Sequence, residues 1–176
     1  MSCKLNRSDA GFDEAVHLLE ASHERFSTGL DTLGKLVLWV GEHGADAPAR
    51  QAAAEVLRRF RGEAVRHYRD EEAYVFPRLL ARASEAERPV VTALVDVLVT
   101  DHRRLRTAWD GLVERLEAVA AGCAVPLGGA DVRDFMLKLC SHIECEQSRL
   151  LPLMQRLLDA ADHVEIGCSL RARGAV

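Results

Sequence analysis

Aromatic residues are scarce, 5% of the chain, and no segment alternates polar and apolar residues with a period of two, so there is little to build a β-sheet from. No apolar run approaches the roughly eighteen residues that a membrane-spanning helix needs. The opening Met1-Ser2-Cys3-Lys4-Leu5-Asn6-Arg7 lacks the apolar centre of a secretory signal. Cysteine is sparse and unpatterned. Cys3, Cys123, Cys140, Cys145 and Cys168 make an odd count of five with no Cys-x-x-Cys, which argues against a disulfide framework or a zinc ribbon. Free thiols in a reducing cytoplasm are the expectation. Only 5 prolines and 12 glycines exclude collagen-like or linker-rich architecture. A net charge of −4 argues against a nucleic-acid partner or an anionic membrane surface. What remains is a leucine- and alanine-rich chain of 176 residues, 48% apolar and 28% charged. That is enough for one domain, residues 1–176, to bury a core without disulfides or metal.

Four long segments carry helical periodicity, with short breaker clusters between them. The first runs from a capping Ser8 to Glu42 and stops in Gly41-Glu42-His43-Gly44. Its stripe is Phe12, Val16, Leu19, Phe26, Leu30, Leu33, Val37 and Val40, continuous only if His23 belongs to it. The second, from Pro48 to about Arg82, shows Ala53, Leu57, Phe60, Ala64 and Tyr74, with His67 and Glu71 among them. Ser84 and Glu87 have capping-box spacing ahead of the third, whose stripe runs Val91, Val95, Leu98, Leu105, Trp109, Leu112, Leu116 and Val119 with His102 in the gap. The fourth spans about 130–161, with Val132, Phe135, Leu139, Leu150, Leu153 and Leu157 inward alongside His142 and Glu146. Residues 162–176 lose periodicity and read as a tail. The reading is all-α: an up-down-up-down four-helix bundle over about residues 10–161. The arginine clusters at 58–61 and 103–106 are interleaved with acids and read as solvated faces.

Six polar residues therefore interrupt the apolar seam: His23, His67, Glu71, His102, His142 and Glu146. His17, His43 and His163 fall off it. The six share a band near mid-bundle, roughly 16 to 27 Å from the end where the first helix begins. A lone core histidine would be a packing residue, but four with two carboxylates are another matter, since a buried carboxylate is costly unless paired or metal-bound. The chain also repeats: His67-x3-Glu71-x5-Pro77 matches His142-x3-Glu146-x5-Pro152, and lone His23 and His102 precede these motifs by 44 and 40 residues. At the chain's own composition, two such matches would arise by chance about once in ten thousand. Residues i and i+4 share a helix face, so each motif can aim a nitrogen and an oxygen at one centre. Symmetry suggests two metals, each with two histidines, and both glutamates bridging. Imidazole and carboxylate without thiolate suit iron or manganese better than structural zinc.

The pattern His23, His67-x3-Glu71-Glu72-x4-Pro77, His102, His142-x3-Glu146-x5-Pro152 resembles the hemerythrin-like, His-His-Glu cation-binding domains over about residues 10 to 160. The resemblance implies two non-haem iron ions, oxo- or hydroxo-bridged, with those six positions as ligands. One departure matters. Oxygen-carrying members have a further histidine one turn along the third helix, where this chain has Arg106, and place the last acid where it has Gln147. The chain is more similar to the four-histidine, two-glutamate branch linked to nitric oxide, peroxide and iron–sulfur repair, without that branch's extra cysteine-containing domain. The expected function is binding or reduction of a small oxidant, in nitrosative or oxidative stress or iron handling. The implied partners are a diatomic or peroxide ligand and an electron donor, and the chain is expected as a monomer or homodimer. The alternatives are a redox- or gas-sensing module without turnover, and a bundle whose seam residues merely pair with one another, a poor stabilising device. Cys145 is read as a packing residue rather than a redox thiol, and Tyr68 and Tyr74 as neighbours of the first motif. Asp70, Glu72 and Glu144 point off the seam.

Overall fold

A computed structural model describes residues 14–174. Ser8, Phe12 and Cys3 lie outside the described residues. Helix α1 is Glu14–His43 and closes at Gly44, whose φ of +69° suits only glycine. Asp46 caps the next helix by accepting from the Ala49 N–H at 2.9 Å, with Pro48 in the first turn. This helix, α2, is a continuous run: Ala47–Arg58, a π-helical turn Arg59–Ala64, Val65–Asp70, a second π turn Glu71–Val75, then Phe76–Arg82. Ser84 and Glu87 do pair, Glu87 Oε2 accepting from the Ser84 N–H at 3.1 Å. They do so within a turn one step ahead of α3, which is Arg88–Ala120. Gly128, at φ +71°, introduces α4: Gly129–Cys145, a π turn Glu146–Leu150, then Leu151–Leu157.

Short connections make successive helices antiparallel neighbours, and α1 and α3 each pack against both α2 and α4. The bundle expected from the periodicity is formed, and no strand occurs among the described residues. Two apolar clusters fill it. One, towards the α1–α2 turn, contains Phe26, Phe60, Trp109, Leu112 and Phe135; the other, towards the opposite end, contains Leu19, Phe76, Leu79, Leu98 and Leu150. No helix among the described residues is long and apolar enough to cross a membrane.

The sequence reading needs two corrections. The fourth helix, expected to reach about residue 161, stops at Leu157, and a fifth helix, α5 (Ala160–Gly174), packed against α1 and the middle of α2, takes up most of the 162–176 segment expected as a tail. Asp159 caps it through the N–H groups of Ala161 and Asp162, both at 3.0 Å. Its buried face is Asp162, His163, Ile166 and Gly167, with a single large apolar side chain, which is why no hydrophobic stripe marks it. Arg82 holds Asp162 at 2.8 Å and Asp159 at 2.6 Å, Arg78 reaches Glu165, and Arg171 reaches Glu14.

The second correction concerns register. Tyr74, Leu153 and Leu157 were expected inward but are only partly buried, whereas Val75, Phe76, Leu79, Leu151, Met154 and Leu158 are buried. Each π turn adds one residue, and everything after it rotates by about 100°. The prolines of the repeat account for the turns that begin at Glu71 and Glu146. Pro77 and Pro152 have no N–H to offer the carbonyl four residues back and would clash with it. The chain opens instead, and the N–H of Phe76 or Leu151 reaches five residues back to the carbonyl of Glu71 or Glu146.

Candidate metal centre

Between the two apolar clusters lies one polar layer. His23 follows Leu19 and precedes Phe26 on α1, and His102 lies between Leu98 and Leu105 on α3. His67 and Glu71 come from α2, His142 and Glu146 from α4, each glutamate opening a π turn. All six are buried, Glu71, Glu146 and His102 completely. The sequence-predicted residues are thus all brought together. Of the remaining histidines, His17 and His43 are exposed and His163 is buried on α5, outside the layer.

Glu146 sits between His23 Nε2 and His142 Nε2, each 2.8 Å from one of its two oxygens. Glu71 sits between His67 Nε2 at 3.3 Å and His102 Nε2 at 3.2 Å. Glu146 also lies 3.7 Å from His67 and 3.9 Å from His102. These short approaches are not hydrogen bonds: all four carboxylate oxygens and the Nε2 atoms of all four histidines lack a partner in hydrogen-bonding geometry. Buried polar atoms seldom stand so, and the cost of each is about 1–3 kcal/mol. Their lone pairs instead surround shared points. His23, His67, Glu71 and Glu146 each present an atom within 4.8 Å of the others, and so do Glu71, His102, His142 and Glu146. Both carboxylates belong to both sets, and the donors suit a cation with mixed nitrogen and oxygen ligation.

Concentrated carboxylate charge shifts the imidazoles. Burial alone would lower the His102 pKa, but Glu146, Glu71 and Glu72 outweigh it and push it up to about 10. His67 is raised as well, since Glu71 and Glu146 overcome its burial. Burial would raise Glu146, yet the surrounding His142, His102 and His23 hold its carboxyl well below the usual range.

The surrounding shell is uneven. Glu72, expected to point away from the seam, turns back to place Oε1 2.7 Å from His102 Nδ1, and Arg106 Nη2 lies 3.4 Å from the same oxygen. The adjacent acids Glu71-Glu72 are the one trace of this in the sequence. Asp70, also expected off the seam, is buried in the stretch of α2 that packs against α5. Tyr68 stacks on His102 with centroids 4.4 Å apart, under the Arg106 guanidinium at 5.8 Å. Burial, then Glu146 and Glu71, raise its phenol, so it stays neutral. Beside it a cleft of about 10 Å³, no more than the room one water needs, is lined by Phe60, Ala64, Leu105 and Trp109. Tyr74 packs half-buried in the far cluster, away from the layer. Burial raises the Cys145 thiol, and Arg149 does not offset it, so Cys145 has the character of a packing residue rather than a reactive thiolate.

Comparison with known proteins agrees with this geometry. The chain is 25% identical over 167 residues, 95% of its own length and 94% of the relative's, to an uncharacterized protein of Haemophilus influenzae. The profile of the hemerythrin HHE cation binding domain matches residues 14–154, from the start of α1 to the last turns of α4 and across the whole polar layer. The chain belongs to the hemerythrin HHE cation-binding domain family.

Proposed function

We propose that the polar layer holds two iron ions and that the protein binds or reduces a small oxidant such as oxygen, nitric oxide or peroxide. His23 and His67 would hold one ion and His102 and His142 the other, with Glu71 and Glu146 shared. The observation that carries this is the pair of donor sets with both carboxylates in common and every carboxylate oxygen without a hydrogen bond. Bound iron supplies one-electron redox chemistry and coordination positions left open by the protein. The chain supplies the rest. The apolar clusters above and below keep water from the layer, and the neutral Tyr68 closes the side towards the cleft. A small uncharged oxidant suits that apolar approach. An external electron donor completes the reading, and the compartment proposed is the cytoplasm. Expression in iron-replete medium should yield about two iron atoms per chain; consistent recovery of one zinc and no iron would overturn the reading.

A sensory role is the second reading, and α5 favours it. This helix packs against the π turn that begins at Glu71. A change in how Glu71 is held would therefore reach an outer helix that a partner can touch. Catalytic consumption of oxidant supports the first reading. Binding without turnover, with an oxidation-dependent change in hydrogen exchange along 160–174, supports the second.

The raised imidazoles give a further expected result. In the metal-free protein His102, at about 10, carries a proton at pH 7. A metal must displace that proton, because it needs the Nε2 lone pair. Loading at pH 7 should release at least one proton per chain, and apparent affinity should fall about tenfold for each unit by which the pH is lowered, for each proton released. Calorimetry in buffers of different ionisation enthalpy measures it. Loading without proton release would show that His102 is neutral beforehand.

A further inference from the structure

The internal repeat breaks at the residues just outside the polar layer. In one half, Glu71 is followed by Glu72, which receives His102 Nδ1 at 2.7 Å, and Arg106, one turn beyond His102, steadies Glu72 at 3.4 Å. The matching positions in the other half are Gln147 after Glu146 and Ser27 one turn beyond His23. Gln147 is exposed, Ser27 donates to the His23 carbonyl, and His23 Nδ1 is buried with no hydrogen-bond partner. His142 Nδ1 is likewise without one.

A carboxylate on the far nitrogen of a histidine ligand keeps a proton on Nδ1, so that Nε2 is the nitrogen that gives up its proton to a metal, and makes the ring a stronger donor. It also fixes the ring's direction before the metal arrives. Here His102 alone among the four has a carboxylate recorded against Nδ1. Building on the two-metal reading above, we propose that the two metal positions are unequal. The position formed by His102 and His142 with the shared glutamates fills first and more tightly. Glu72 is the positioning residue that makes the difference, and Arg106 positions Glu72. Glu72 keeps about a third of its side-chain surface exposed, so it can be altered without opening the core.

Cobalt(II), whose visible absorption reports its coordination, provides the test on the metal-free full chain under anaerobic conditions. The wild type should bind two ions in two resolved steps, and the tighter step should survive His23→Ala. Glu72→Ala should weaken the tighter step by about tenfold or more, bringing the two steps together. Glu72→Gln, which keeps a neutral acceptor, should lose less, and Arg106→Ala should lose a few-fold through a less ordered Glu72. Circular dichroism of each metal-free variant serves as the folding control. In the zinc-loaded wild type the His102 Nδ1 proton should give a slowly exchanging downfield resonance, absent from Glu72→Ala. Two equal steps in the wild type, or a tight step indifferent to Glu72→Ala, would overturn the inequality while leaving two metals in place. Binding of one ion or none would overturn the two-metal reading and the inequality with it.

Discussion

Glu146→Gln should reduce bound metal from about two ions per chain to one or fewer, while far-ultraviolet circular dichroism of the metal-free protein stays that of the wild type. The side chain keeps its volume, so no cavity opens between the apolar clusters. What it loses is charge and one of two equivalent oxygens. Glu146 is the acid nearest to both His23 and His142, at 2.8 Å each, and it stands within 4 Å of His67 and His102 as well. An amide offers one weak oxygen donor where two metal positions each need an anionic one. The scaffold is insulated from the change. Leu139 and Leu150 on the same helix, Phe26 across from it and Leu98 on α3 belong to clusters that do not depend on the layer. Metal-free stability should fall by no more than about 1–3 kcal/mol, because His67 and His102, whose protonation the carboxylates favour, can release protons in response. Elemental analysis after iron loading, with a urea denaturation of the metal-free form, separates the two effects. Full iron occupancy in Glu146→Gln would mean that the carboxylate is not a ligand.

The layer could be read from the sequence because a bundle punishes polar residues on its seam. His23 and His102 are gaps in otherwise unbroken apolar stripes, and the two i, i+4 pairs need only helix geometry to converge. Glu72 escaped because its role depends on a neighbouring helix rather than on its own: it lies off the α2 stripe, and only the position of α3 brings His102 Nδ1 to it. The register beyond each motif escaped for a local reason. Pro77 and Pro152 were seen as part of the repeat, but their effect on the backbone, a π turn that advances the buried face by one residue, is not a periodic signal. Hence Leu153 and Leu157 were assigned inward where Met154 and Leu158 are. Helix α5 was hidden more thoroughly. It is held by capping at Asp159 and ion pairs to Arg78 and Arg82, interactions that hydrophobic periodicity cannot reveal. The matched family region ends at residue 154, before α5 begins, whereas the alignment with the Haemophilus influenzae protein leaves out too few residues to stop there.

The anaerobically reduced, iron-loaded protein should be oxidised by oxygen and should not recover its reduced spectrum when the gas is removed. The sharing of ligands between the two positions decides this outcome. Each donor set contains two histidines and the same two glutamates, so neither metal position is given more protein ligands than the other. By the resemblance drawn from the sequence, the family's oxygen-carrying members have a further histidine where this chain has Arg106. A guanidinium has no lone pair to offer a metal. Arg106 is also committed elsewhere, 3.4 Å from Glu72 and over the Tyr68 ring. Two metal ions held by these sets would therefore each keep room for a further ligand, the mark of a reactive rather than a closed site. If His23, His67, His102, His142 and the two glutamates held two ferrous ions, these would supply one electron each, enough with two protons from solvent to reduce oxygen to hydrogen peroxide rather than release it. The measurement is an optical spectrum recorded before exposure, after exposure and after thorough degassing. Return of the reduced spectrum on degassing without added reductant would overturn the argument and make the protein an oxygen carrier despite Arg106.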